Sequence, residues 1–199
     1  MNLKQPIFWK DINFFSLLLY PISLIINFIN FLKRHQKKTE YKIKTICVGN
    51  IYVGGTGKTP LSILINKILK KKYKTVFIKK KYQNQKEEQK LLMKNGNLIC
   101  ERSRSLSLAK AEGKGFNLAI IDDGLQEKSI KYDISIACFN ATSKIGNGLT
   151  IPAGPLRENL SNLSDYDAVF INGQKKNNKL KNKIKYYNSK IELFQSEYK

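Results

Sequence analysis

The chain has a single histidine, His35, so neither a histidine-based catalytic triad nor a histidine-rich metal site can be built from it. It has three cysteines, an odd number, and each lies in an apolar, strand-like run: Cys47, Cys100 and Cys138. That placement fits buried thiols in a reducing compartment and excludes a disulfide framework or a zinc-ligand set. Acidic residues are scarce, 15 against 36 basic ones, for a net charge of +21. Arginine is scarce too: only Arg34, Arg102, Arg104 and Arg157 break the run of lysines. A charge of this sign and size calls for an anionic partner such as a phosphorylated substrate or an anionic lipid surface, or else reflects a composition rich in Lys, Asn and Ile. No motif for nucleic-acid binding accompanies the charge, and none of the sequence repeats. With 199 residues the chain can bury one sizeable core.

One stretch organises the rest: Val48-Gly49-Asn50-Ile51-Tyr52-Val53-Gly54-Gly55-Thr56-Gly57-Lys58-Thr59-Pro60. Ile43 to Val48 is short, apolar and β-branched, as a buried strand should be. After the loop, Leu61, Leu64, Ile65, Ile68 and Leu69 recur at helical spacing and predict one apolar helix face. Strand, glycine loop, Lys-Thr and helix in that order read as a phosphate-binding loop. Val53, Gly54, Gly55, Thr56 and Gly57 would line the nucleotide phosphates with backbone N–H groups. Lys58 would reach the β- and γ-phosphates and the Thr59 hydroxyl would ligate Mg²⁺. Tyr52 stands where the strict pattern has glycine, and an ordinary glycine turn between strand and helix is the alternative.

A second apolar strand, Phe116 to Ile121, ends in Asp122-Asp123-Gly124. Such a strand-end carboxylate usually partners a phosphate loop and holds the metal beside Thr59; alternatively Asp-Gly is a plain turn. Further strands are predicted at Thr75–Ile78, Asn97–Cys100, Asp133–Phe139 and Asp167–Asn172, with a weak one at Lys190–Phe194 and a helix at Ser103–Gly113. Lys79 to Lys90 is a polar stretch after a strand, carrying Tyr82, Glu87 and Glu88. Glu87 and Glu88 also suit the first turn of a helix. Gly146 to Glu158 holds three glycines and two prolines and predicts a shaped loop, in which Arg157 would fork onto a phosphate with Glu158 fixing it, or the two form a surface pair.

The N-terminal region differs in kind. From Ile12 to Leu32, 21 positions carry no charge, long enough for a helix to cross a hydrocarbon core of about 30 Å. Pro21 and three asparagines interrupt it, and Lys33, Arg34, Lys37 and Lys38 follow, which by the positive-inside tendency puts the remainder in the cytoplasm. A membrane-spanning or membrane-dipping segment, a helix lying in the interface, and a core helix of the domain all fit this pattern.

Four blocks together resemble the lipid A 4′-kinase (tetraacyldisaccharide 4′-kinase) family. They are Pro6-Ile7-Phe8-Trp9 with the apolar run and Lys33-Arg34; the loop from Val48 to Pro60, including a non-glycine residue at Tyr52; Ile121-Asp122-Asp123-Gly124-Leu125-Gln126; and Gly146-Asn147-Gly148 with Pro152-Ala153-Gly154-Pro155-Leu156-Arg157-Glu158. The resemblance implies an α/β fold: a P-loop NTPase-like, mostly parallel sheet flanked by helices, with a membrane-associated N-terminal helix. It implies ATP and Mg²⁺ as cofactors and an acylated glucosamine disaccharide 1-phosphate, phosphorylated at its 4′-hydroxyl, as partner. It also implies membrane lipid as a second partner, at the cytoplasmic face of the inner membrane. Residues 1–40 would be the membrane-associated segment and 41–199 the kinase domain.

Three departures in sequence bear on chemistry. Where the family carries Ser-Arg-Gly-Tyr this chain has Lys79-Lys80-Lys81-Tyr82, and where it carries Gly-Asp-Glu-Pro this chain has Lys86-Glu87-Glu88-Gln89. Glu87 falls on the family's proposed general base, with Asp123 and Glu88 as substitutes. The extra methylene of Glu moves the carboxylate by about an ångström, enough to cost about 10²-fold in rate. Glu127 stands where the family has histidine. The family's chain continues into a second lobe, which is expected to be absent here or separately encoded. The alternatives to a kinase are a nucleotide-binding membrane protein with impaired catalysis, another P-loop NTPase that uses water as acceptor, or a truncated product.

Overall fold

The computed structural model describes residues 5–82, 86–142, 145–173 and 178–196. Gln83 to Gln85, inside the polar stretch after the second strand, lie outside the described residues. In chain order the elements are α1 (Phe14–Arg34), β1 (Lys44–Gly49), α2 (Lys58–Leu69), β2 (Thr75–Lys80), α3 (Lys86–Asn95), β3 (Leu98–Glu101), α4 (Arg104–Gly113), β4 (Leu118–Asp122), β5 (Ile134–Asn140), β6 (Ala168–Asn172), α5 (Asn178–Tyr187) and β7 (Glu192–Ser196). The strands form a seven-stranded sheet in the order β3-β2-β4-β1-β5-β6-β7. The pairings of β1 with β4, β2 with β3, β2 with β4 and β6 with β7 are parallel. Parallel strands need helical crossovers and are covered on both faces. Hence β1, β2 and β4 read as unbroken apolar runs and not as alternating ones, and all five residues of β4 are buried.

The chain divides into two compact units. One comprises Lys37–Asn50 and Gly57–Ile136 and holds β1 to β4 with α2, α3 and α4. Its core includes Phe77, Leu92 and Ile120, with Ile63, Ile65 and Leu98 packed against them. Here α2 differs from the predicted face: Leu64 and Ile68 are exposed, while Thr59, Ser62 and Asn66 are buried. The reason is polar. Asn66 donates to the Asn95 carbonyl and accepts from the Thr75 hydroxyl, and Ser62 donates to Asp122, so the helix turns its small hydrogen-bonding residues inward.

The other unit comprises Met1–Gln36, Ile51–Thr56 and Ala137–Lys199. In it α1 is amphipathic in the reverse sense to a core helix. Asn13 and Ser16 cap its start reciprocally. Ser23 donates to the Thr150 carbonyl and accepts from the Ala153 N–H, Asn30 donates to the Arg157 carbonyl, and Arg34 pairs with Asp165 and donates to Asn162 and Ser164. The opposite side carries Phe14, Phe15, Leu18, Leu24, Ile25, Phe28 and Leu32, all exposed. The core-helix arrangement is therefore not the one adopted. α5 has no counterpart among the elements the sequence predicts: Leu180 and Ile184 are its only buried residues.

Candidate active site

The site grows from the register of three neighbouring strands. Val48 of β1 lies across from Asp122 of β4, and Ile78 of β2 lies across from Ile121. One further step along β2 brings Lys79 to Asp122. Ligand groups in parallel α/β sheets gather beyond these carboxyl ends.

From the end of β1 the chain enters the glycine loop. Gly57 adopts φ +80° immediately before α2, a left-handed conformation that a side chain would strain. Lys58 and Thr59 open α2, and Pro60 occupies its first turn, where no N–H is required. The Thr56 hydroxyl is buried and has no hydrogen-bond partner among the described residues. An unpaired buried donor in the middle of such a loop suits an incoming phosphate oxygen. In the other unit, the preceding residues of the loop are held by the Gly146–Glu158 segment: the Val53 N–H donates to the Pro155 carbonyl and the Arg157 N–H to the Ile51 carbonyl. Gly154 is required within that segment because a Cβ there would lie 2.4 Å from the Leu149 carbonyl oxygen. At the end of that segment Glu158 is buried and accepts from Tyr166 and Asn162.

The acidic pair is turned by backbone conformation. Asp123 has φ +61°, which aspartate tolerates better than most residues, and its N–H donates to the Val48 carbonyl. This sends the two side chains apart. Asp123 Oδ1 lies 3.8 Å from Lys58 Nζ. Asp122, fully buried, accepts from the Thr59 hydroxyl at 3.2 Å through Oδ2 and from the Ser62 hydroxyl at 3.3 Å through Oδ1. Gly124 completes the turn where a Cβ would lie 2.5 Å from the Ile121 side chain and 2.8 Å from Cys47 Sγ.

Two basic residues whose burial does not show in the sequence shape this cluster. Lys79, 1 % exposed, places Nζ 2.6 Å from Asp122 Oδ2 and 2.6 Å from Glu88 Oε2. Burial alone would lower its pKa, but the Asp122 and Glu88 carboxylates more than reverse this and raise it above the ordinary lysine value. Arg104, buried at the start of α4, donates to the Asp123 carbonyl and faces Glu127 at 3.9 Å. Glu87, in contrast, is exposed on the first turn of α3 and takes part in none of these pairs.

The donor chemistry suits a hard divalent cation. The Thr59 hydroxyl and Asp122 carboxylate converge, and no group of three or more His, Cys, Asp or Glu forms a self-sufficient metal cage among the described residues. Mg²⁺ is commonly held this way, by one or two protein oxygens with phosphates and water completing the shell.

Comparison with known proteins gives a consistent picture. The profile of the family described as tetraacyldisaccharide-1-P 4′-kinase (LpxK) matches residues 15–199. A tetraacyldisaccharide 4′-kinase of Pelagibacter ubique is 51% identical over 202 residues, covering 100% of this chain and 64% of the relative. One from Rickettsia bellii is 34% identical over 192 residues, covering 87% of this chain and 60% of its own. The chain thus spans less than two thirds of the length of these curated relatives. Among solved structures, the apo form of LpxK from Aquifex aeolicus in complex with ATP superimposes with a TM-score of 0.69 at 24% identity, over 78% of this chain and 58% of that one. The hydrogenase maturation factor HypB of Archaeoglobus fulgidus shares the fold at a TM-score of 0.50 and 10% identity, over 88% of this chain and 90% of its own.

Proposed function

The chain belongs to the tetraacyldisaccharide-1-P 4′-kinase family, and from that premise we propose that it transfers the γ-phosphate of ATP to the 4′-hydroxyl of an acylated glucosamine disaccharide 1-phosphate. One observation carries the reading: Lys58 and Thr59, at the start of α2, face the two aspartates that end β4, Lys58 toward Asp123 and Thr59 toward Asp122. Lys58, with the amides of Val53 to Gly57, binds and orients the phosphates. Thr59 and Asp122 would hold Mg²⁺, which would neutralise charge on the phosphate oxygens. Asp123 keeps the Lys58 ammonium aimed at the loop until nucleotide replaces it as partner. Glu87, exposed and outside the ion pairs at the start of α3, receives the proton of the sugar hydroxyl. Because phosphoryl transfer depends on positioning and charge neutralisation, Lys58 contributes more to the rate than the base.

The substrate is a lipid, and α1 supplies the means to meet it. Its polar side is tied to the protein from Ser23 to Arg34, so its exposed apolar side lies in the membrane interface, with the helix axis along the surface. Residues 1–40 then form the membrane-associated segment and 41–199 the kinase domain, at the cytoplasmic face of the inner membrane. The excess of lysine favours an anionic leaflet and an anionic substrate. The test is transfer of labelled γ-phosphate to the disaccharide lipid in detergent. Label in the lipid that is lost in Lys58→Ala is expected; nucleotide hydrolysis that ignores the lipid would overturn the proposal.

A further inference from the structure

Lys79 is out of place for a lysine. It is the one residue of its kind among the largest fully buried side chains of the described residues, and it sits at the carboxyl end of β2 instead of in solvent. Its ammonium bridges two carboxylates from different elements: Asp122 at the end of β4 and Glu88 in the first turn of α3. The Asp122 oxygen it touches, Oδ2, is the same one that accepts from the Thr59 hydroxyl. A fixed positive charge therefore already stands on the carboxylate where a divalent cation would be held. Two positive charges that share one oxygen repel, and in a buried setting the repulsion is little screened. A buried carboxylate with no counter-charge is itself costly, so without Lys79 the Asp122 side chain would seek another cation or shift its position.

We propose that Lys79 is an internal counter-cation that positions Asp122 and Glu88 beside Thr59 and keeps a divalent cation from settling there until it arrives with the nucleotide phosphates. The phosphates bring negative charge enough to offset the repulsion, so cation and nucleotide enter together. Lys79 thereby acts through Asp122 and is a positioning residue. The inference rests on reading Thr59 and Asp122 as the cation end of a nucleotide site. It adds that occupancy by cation alone is suppressed by this chain's own charge.

The experiment is a titration of the full chain with Mn²⁺, followed by electron paramagnetic resonance, with and without ATP. In wild type, Mn²⁺ without nucleotide should bind weakly and Mn²⁺ with ATP tightly. In Lys79→Met, nucleotide-free Mn²⁺ affinity should rise by about tenfold or more, the effect of one unit charge on a divalent ion a few ångström away. The rise should vanish in Lys79→Met/Asp122→Asn. Equal nucleotide-free affinity in wild type and Lys79→Met would overturn the inference while leaving nucleotide binding intact. Failure of wild type to bind Mn²⁺ with ATP would overturn the nucleotide-site reading and the inference with it. Since Lys79→Met strips a buried carboxylate of its partner and can unfold the chain, wild type supplies a second measurement. The lysine ammonium resonance that Lys79→Arg removes from the ¹⁵N spectrum should stay in place on adding Mg²⁺ alone and move on adding Mg²⁺ with ATP. Movement with Mg²⁺ alone would overturn the inference.

Discussion

Replacing Asp122 by Asn tests whether the buried ion pair holds the site together. Lys79 and Asp122 are 1% and 0% exposed, 2.6 Å apart, so water screens neither. Removing one partner of such a pair costs about 3–5 kcal/mol, because the other charge stays buried without compensation. In Asp122→Asn the stranded group is the Lys79 ammonium, which keeps Glu88, about half exposed, as a remaining partner. The loss should therefore fall near the lower end, about 3 kcal/mol. Against a total stability of about 5–15 kcal/mol for a domain of this kind, that is a fifth or more of the whole. Lys79→Met strands Asp122 instead, with the Thr59 and Ser62 hydroxyls its remaining side-chain partners among the described residues, and should cost about as much or more. The double variant leaves neither charge buried and should recover most of the loss. Urea midpoints in detergent, at unchanged slope, give the three values. If the double variant lost the sum of the two single losses, the side chains would not be coupled and the reasoning would fail.

The pH dependence of the same pair has a defined sign. The folded-state pKa of Lys79 is raised above the ordinary 10.5, so its stabilisation is complete below that value and is lost as pH rises through the folded pKa. The difference in stability between wild type and Lys79→Met should then be level from neutral pH to about 10 and close only in stronger alkali, as read by denaturant midpoints across that range. Gly154→Ala should lower the melting temperature by several degrees, equivalent to about 1–3 kcal/mol, since its Cβ would lie 2.2 Å from Asn147 Oδ1 and 2.4 Å from backbone. Phe15→Asp/Phe28→Asp, on the exposed side of α1, should reduce flotation with anionic vesicles without changing the circular dichroism of the protein. Cys47, whose thiol burial pushes well up, should resist alkylation at mildly alkaline pH until the protein is unfolded, as mass spectrometry of the modified peptide would show.

Much of this arrangement is legible in the residues, and the illegible parts share a cause. Buried parallel strands announce themselves through unbroken apolar runs, so β1, β2 and β4 fall within two residues of where the sequence puts them. The Lys-Thr after the glycines and the two aspartates at the end of β4 are equally plain, because nothing in a structural turn requires those types together. The sequence shows Lys79 as a departure from the family's block but not its burial: in a chain with 36 basic residues, one more lysine after a strand reads as the start of a solvated loop. Only the register with β3, which continues β2 two residues to Lys80, brings it inside. The burial of Arg104 is hidden similarly, because a basic residue at a helix start next to Glu101 and Arg102 reads as solvated. α5 carries too few apolar residues to show a helical period amid Lys and Asn. In α1 a signal existed and pointed the unexpected way. Ser16, Ser23, Asn27, Asn30 and Arg34 recur at steps of seven, four, three and four, one helical side that is polar and turned to the protein.

The most direct test of the central claim is product analysis after incubating the chain with ATP, Mg²⁺ and the tetraacylated disaccharide 1-phosphate in detergent. Mass spectrometry and ³¹P resonance should find a second phosphate on the 4′-oxygen, absent with Lys58→Ala and slowed about 10²-fold with Glu87→Gln. A lipid that returns unmodified, from a chain that still binds ATP, would contradict the kinase reading for these residues.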